Sequence, residues 1–193
     1  MLKLNNLTKF ITLLIGTIAL ILTWVTSVTA QPQLTERSKL AINGIGPIRV
    51  GMTVDEASRS AGIQLIKNAR GSGSFNEDLC SYPQVKGGPK GISFMVAKGR
   101  IARVDIDNDR TTTIAGAKIG NTQQQIINLY PGKIKITPHP YVGRPPLNGK
   151  YLTFVPKDAA DKNYRIIFET SKNRVTRFRS GKLPEVEYIE GCS

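Results

Sequence analysis

The chain is poor in the residues that carry most catalytic and metal chemistry. Among 193 residues there is one histidine, His139, with two cysteines and one tryptophan. That set cannot complete a tetrahedral Cys/His zinc site without carboxylate help, so no metal site is expected. A phosphate loop of the form G-x-x-x-x-G-K-[ST] is also missing. Gly44-x-Gly46 and Gly71-x-Gly73 lack its spacing and any clear βαβ context, and both read as turns. Asp105-x-Asp107-Asn108-Asp109 opens like a calcium loop. It fails where position 6 needs Gly and has Arg110, and where position 12 needs Glu and has Gly116. The segment reads as a solvated strand end. His139 lies between prolines in Thr137-Pro138-His139-Pro140-Tyr141. A general base there would need a nucleophile that nothing signals, so an ordinary loop histidine is the simpler reading. A hydrolase is therefore disfavoured, and neither enzymatic activity nor a cofactor is expected.

Acidic residues are scarce too: 14 against 27 Lys and Arg, a formal net charge of +13. Lys3 and Lys9 are the only charges before Glu36, and an uncharged apolar run, Phe10 to Val25, follows Lys9. Val28-Thr29-Ala30 places small residues at the −3 and −1 positions of a cleavage site. Residues 1–30 thus read as a signal peptide cut after Ala30, giving a secreted or periplasmic protein. The rival is an uncleaved anchor, but the run is short for a span of about 20 residues. No cysteine near the cut offers a lipid acceptor. The mature chain would have 193 − 30 = 163 residues and a net charge of (27 − 2) − 14 = +11, without Trp24. Such a charge points to a polyanion or acidic partner. Export argues against nucleic acid and favours anionic lipid head groups, a wall polymer or an acidic protein. Alternatively the charge serves only solubility.

Cys80 and Cys192 are both in the mature part, and an oxidising compartment allows them one bridge, which would tie down the C-terminus. The alternative, a reactive thiol, would have only His139 as its base.

After residue 43 the chain says the same thing twice. Ile48-Arg49-Val50-Gly51-Met52-Thr53-Val54-Asp55-Glu56-Ala57 is matched by Ala117-Lys118-Ile119-Gly120-Asn121-Thr122-Gln123-Gln124-Gln125-Ile126. Thr53-x-x-Glu56 and Thr122-x-x-Gln125 are capping boxes. The first helix is expected to run to about Ala61, before Gly62, and the second to about Tyr130, before Pro131-Gly132. Each is followed by a short β-run, Leu79 to Val85 and Tyr151 to Val155. Each ends in a hairpin: GISFMVAKGRIARVDID from Gly91, and YRIIFETSKNRVTRFRS from Tyr164. Lys98-Gly99 and Lys172-Asn173 supply the turns. The expectation is an α+β fold of two tandem repeats, residues 31–110 and 111–193. Each holds a capped helix and three strands, in an antiparallel sheet with helices on one face and the other partly open.

These residues carry a resemblance. The opening GIGPIRVGMTVDEA, the hairpins and the ending Tyr188-Ile189-Glu190-Gly191-Cys192 resemble small exported bacterial proteins of unknown function. The repeated unit resembles the fold of the β-lactamase inhibitory protein, which shares the tandem copies, and of the BamE/SmpA outer-membrane assembly lipoproteins, which share the G-M-T helix opening. The missing lipobox cysteine departs from the lipoproteins. The resemblance implies a binding module on an antiparallel sheet and assigns no binding residue.

The candidate contact residues come from charge and exposure. Arg103 and Arg177 are counterparts in the two hairpins, and Arg179 follows Arg177 on the same side. Together they are expected to form a cationic patch on the open sheet face, or else to act as a solvated edge that discourages strand pairing. The long proline-rich loop offers His139 and Tyr141. The expected function is non-enzymatic binding of another exported or envelope protein, with a basic binder of wall polymer or anionic lipid as the alternative.

Overall fold

Local signals account for most of the secondary structure. The computed structural model describes residues 33–66 and 80–192. The signal-peptide reading, the Gly71-x-Gly73 turn and Leu79 lie outside the described residues. In chain order the elements are β1 (Leu40–Ala41), β2 (Gly44–Ile45), β3 (Ile48–Arg49), α1 (Val54–Ala61), β4 (Gln64–Ile66), β5 (Cys80–Ser81), β6 (Gln84–Lys86), β7 (Ile92–Ala97), β8 (Arg100–Ile106), α2 (Gln123–Leu129), β9 (Ile134–Pro138), β10 (Lys150–Phe154), β11 (Tyr164–Ser171) and β12 (Arg174–Lys182). The fold is mixed α+β, mostly antiparallel sheet, with two α-helices among the described residues.

Both helices start where their capping boxes dictate. The Thr53 and Thr122 hydroxyls accept from the amides of Glu56 and Gln125, whose side chains reach back to the cap amides. Gly62 ends α1 in the left-handed region at φ 63°. Both hairpins turn on two residues with positive φ: Lys98 (51°) with Gly99 (72°), and Lys172 (48°) with Asn173 (64°). Two such residues match the right-handed twist of the flanking strands.

The two hairpins join edge to edge in a seven-stranded antiparallel sheet, ordered β5-β7-β8-β12-β11-β10-β9. The expected Leu79–Val85 run is divided. β5 pairs with β7, whereas β6 pairs with β4. Pro83 stands between them and supplies no ladder donor. The second half has one strand more than expected, β9, whose alternation Ile134-Lys135-Ile136 was legible.

A bulge in each hairpin changes the face count. The register shifts between Met95 and Val96 against β8, and between Glu169 and Thr170 against β12. The unpaired residues are Ala102 and Thr176. Ile101 and Val104, like Val175 and Phe178, therefore both reach the main core although three positions apart. Strict alternation would put Arg174 on Phe178's face, and the bulge removes it from there.

One hydrophobic cluster joins Phe94, Val104, Leu152, Phe168 and Phe178 of the sheet with Ala57 and Ala61 of α1, Ile126 of α2, and Leu40, Ile45 and Ile48 of β1, β2 and β3. Tyr130, just past α2, packs 4.9 Å from Phe154 and 5.8 Å from Phe168. Its hydroxyl donates to Thr113 Oγ1 at 2.8 Å. The sheet face expected to be partly open is covered over its centre. The chain leaves β12, makes a 3-10 turn at Glu185–Glu187 and runs across that face to Cys192. Val186 is fully buried there with Tyr151 and Ile167, beside Leu183. Residues 183–192 are called the strap below.

The same hydrogen bonds tie each helix start to its hairpin. The Gly51 amide donates to the Ile101 carbonyl (2.8 Å), and the Ile101 amide to Met52 (2.8 Å). The Gly120 amide donates to Val175 (2.9 Å), and the Val175 amide to Asn121 (2.9 Å). Arg100 Nη1 donates to the Gly51 carbonyl at 2.8 Å, and Arg174 Nη1 to that of Gly120 at 2.9 Å.

Candidate functional site

The seam between the hairpins positions the site. β8 and β12 pair as Phe178↔Ile106, Arg179↔Asp105 and Gly181↔Arg103. Phe178 and Ile106 enter the main core. Alternation sends Arg103, Asp105 and Arg179 to the strap side. Gly181 allows the close approach: a Cβ there would lie 2.5 Å from the Ala102 carbonyl oxygen and 2.8 Å from Arg103 Cα.

The expected exposed patch of three arginines does not form. Arg103 and Arg179 are only 5% and 3% exposed. Only the Arg177 side chain, 58% exposed, meets solvent. A guanidinium can be buried when every face of it is paired, and the strap provides the missing acceptors. Arg103 Nε donates to the Asp105 carboxylate at 2.9 Å, and Nη2 to the Tyr82 hydroxyl at 2.9 Å. Its Nη1 donates to the strap carbonyls of Tyr188 (2.7 Å) and Glu185 (3.3 Å). Arg179 Nε donates to the Val186 carbonyl at 2.7 Å, and Nη1 binds the Glu169 carboxylate. These two cations hold the strap down rather than wait for a partner.

His139 is also not a free loop side chain. It is 11% exposed and packs on Tyr151, ring centroids 4.5 Å apart. Nδ1 accepts from the amides of Tyr141 (3.2 Å) and Val142 (3.4 Å), so the ring proton is on Nε2, which faces Glu169 at 3.6 Å. The two amides hold Nδ1, and the ring thereby seats the proline-rich loop against Tyr151. Glu169 thus gathers Arg179, Arg177 Nε at 3.9 Å and His139. The Arg179 guanidinium lies 5.4 Å from the Tyr151 ring centroid.

Burial governs Tyr82 and Tyr151 on this face. It pushes the Tyr82 phenol well above the usual range, with Asp105 adding to the shift and Arg103 and Arg179 opposing it. Burial, then Glu169, raises Tyr151, against the pull of Arg179. Both remain neutral donors or acceptors at ordinary pH.

The strap and seam enclose a half-open cleft of about 290 Å³, lined by Tyr82, Asp105, Asp107, Arg177 and Ile189 among others. Beside it Tyr141 is 65% exposed, Tyr188 43% and Ile189 45%. The Tyr141 hydroxyl bonds the Glu190 carboxylate, which joins the proline-rich loop to the strap. The strap's end is fixed by the Cys80–Cys192 disulfide. No group of three or more His, Cys, Asp or Glu that could hold a metal is present among the described residues. Of the residues singled out from sequence, Tyr141 and Arg177 are accessible, and Arg103, Arg179 and His139 are not. Tyr188 and Ile189 went unrecognised, although two large apolar residues in a polar C-terminus beside a bridging cysteine were a usable signal.

The fold defines a mixed α+β protein with a strap-covered antiparallel sheet. No protein-family model matches the chain, and no curated protein matches it. Among solved structures, the uncharacterized protein YfeY from Escherichia coli is similar, with 15% sequence identity and a TM-score of 0.45 over 75% of this chain and 99% of that one.

Proposed function

We propose that this chain is an exported, non-enzymatic binding protein that contacts another exported or envelope protein through the face where strap and proline-rich loop meet. One observation carries the reading: Tyr141, Tyr188 and Ile189 are large, exposed and held in place together. Aromatic residues and arginine concentrate binding energy at interfaces, and side chains fixed beforehand lose little entropy on docking. Arg177, at the cleft's edge, would steer and orient an approaching acidic group. The two amides held on His139 Nδ1 support a binding role over a general-base one.

The alternative is a basic binder of wall polymer or anionic lipid, favoured by the mature charge of +11 from 25 basic and 14 acidic residues. The proposed face fits it less well, because Asp105, Asp107 and Glu190 line the cleft there. Neither nucleic acid nor a cofactor is part of the proposal.

The proposal includes two tandem copies, 31–110 and 111–193, with helices on one face, as the resemblance to the β-lactamase inhibitory protein and BamE/SmpA folds implies. The matched hydrogen bonds at Gly51 and Gly120, and the matched bulges, support it. It also includes cleavage after Ala30, which mass spectrometry of the exported form would test by an N-terminus at Gln31.

The functional test is a photo-crosslinking residue at the exposed Pro140, beside Tyr141, with capture from the envelope fraction. Ile189→Asp and Tyr188→Ala should each reduce capture about tenfold or more. Half-molar salt should reduce it little, whereas polyanion binding would collapse. Capture unaffected by both substitutions would refute the proposed face.

A further inference from the structure

We infer that closing Cys80–Cys192 assembles this binding face, so that the protein acquires its contact surface by oxidation; the inference rests on the binding reading above. The strap is held in two parts of unequal strength. From Leu183 to Tyr188 it is anchored by the buried Val186, by the Leu183 amide donating to Asn163 (2.8 Å), and by the guanidiniums of Arg103 and Arg179. Past Tyr188 no helix or strand continues. The anchors of Ile189 to Cys192 include the disulfide, the Tyr141–Glu190 bond and the packing of Gly191 on the Tyr82 ring, where a Cβ would lie 3.1 Å from the hydroxyl. Tyr82 itself follows Cys80 by two residues, so the bridge holds both sides of this contact together.

A chain terminus without regular structure frays unless tied down. Without the bridge, Ile189 would lose its fixed position and Tyr141 the acceptor that orients it. The main core would keep its packing, since Phe94, Phe168 and Phe178 lie on the opposite face. Binding would then fail through lost preorganisation rather than unfolding. The switch is ordinary thiol–disulfide exchange with a disulfide oxidant. One thiolate attacks the oxidant and displaces a thiol, forming a mixed disulfide. The second thiolate attacks its own chain's sulfur in that mixed disulfide and displaces the second thiol. Two electrons pass to the oxidant, and its two sulfurs leave as thiols carrying the protons.

The test compares the mature protein oxidised with oxidised glutathione, the same protein reduced with dithiothreitol, and Cys192→Ser, all at 15 °C by hydrogen exchange. In both open forms, amides of residues 189–192 should exchange about tenfold faster or more, while β7, β8, β11 and β12 stay protected. Crosslinking from the probe at Pro140 should fall in parallel and return on reoxidation of the reduced protein that keeps both cysteines. Unchanged exchange at 189–192 would overturn the inference, and so would loss of protection throughout the sheet, which would make the bridge a global staple. If exchange behaves as expected but Ile189→Asp leaves capture intact, the binding reading fails while the redox-dependent ordering stands.

Discussion

Replacing Arg179 by Met should destabilise the protein severely, although neighbouring Arg177 can be replaced almost without effect. Arg179 is 3% exposed and holds both the Glu169 carboxylate and the Val186 carbonyl. Removing one member of a buried ion pair strands the other's charge, at about 3–5 kcal/mol. Here Glu169 would retain His139 at 3.6 Å and Arg177 at 3.9 Å, and its side chain is 13% exposed. Those partners place the loss near the low end, about 3 kcal/mol. For a domain of this size that corresponds to a fall in melting temperature of about 6–12 °C. Arg177→Met should cost under about 0.5 kcal/mol, because an exposed cation near a carboxylate contributes little. Arg179→Met combined with Glu169→Leu should recover much of the loss, since a buried ion pair exchanged for apolar side chains is often neutral. Calorimetry and urea unfolding of the three variants beside the wild type would decide it. Equal losses for Arg177→Met and Arg179→Met would refute the argument, and so would a double variant worse than Arg179→Met alone.

Three further outcomes follow from the geometry. Tyr82, Tyr130 and Tyr151 are held above the usual tyrosine value of 10.0, chiefly by burial. The unfolded chain would release these protons near pH 10 while the folded one keeps them. Their contribution is therefore complete below about pH 10 and lost as pH rises through the folded values. Absorbance at 295 nm and circular dichroism should show their ionisation coinciding with alkaline unfolding; ionisation near pH 10 in an intact fold would contradict this. Gly181→Ala should force β8 from β12 and destabilise by about 1–3 kcal/mol, measured by urea unfolding. Thr53→Ala and Thr122→Ala should each cost about 1 kcal/mol through loss of a capping box, read by thermal melts.

The local grammar of the fold was legible in the sequence because it depends on residues within a few positions of one another. Thr53 and Thr122 start helices through their own N3 residues. Lys98-Gly99 and Lys172-Asn173 turn hairpins because Gly99 and Asn173 adopt positive φ cheaply. The bridge was legible because the chain has two cysteines and no others to choose between. What the tertiary structure decided was the fate of the polar residues. Whether Arg103 and Arg179 face water depends on what lies above them, and that is the strap, more than 80 residues beyond Arg103 in the chain. The bulges at Ala102 and Thr176 are equally invisible to a two-residue alternation, because a bulge is a property of two paired strands. His139 looked free between its prolines and is instead seated against Tyr151 and Glu169. Periodicity reports which side of an element is apolar, but the partner that covers a charge is set by long-range packing, and here that partner is the chain's own C-terminus.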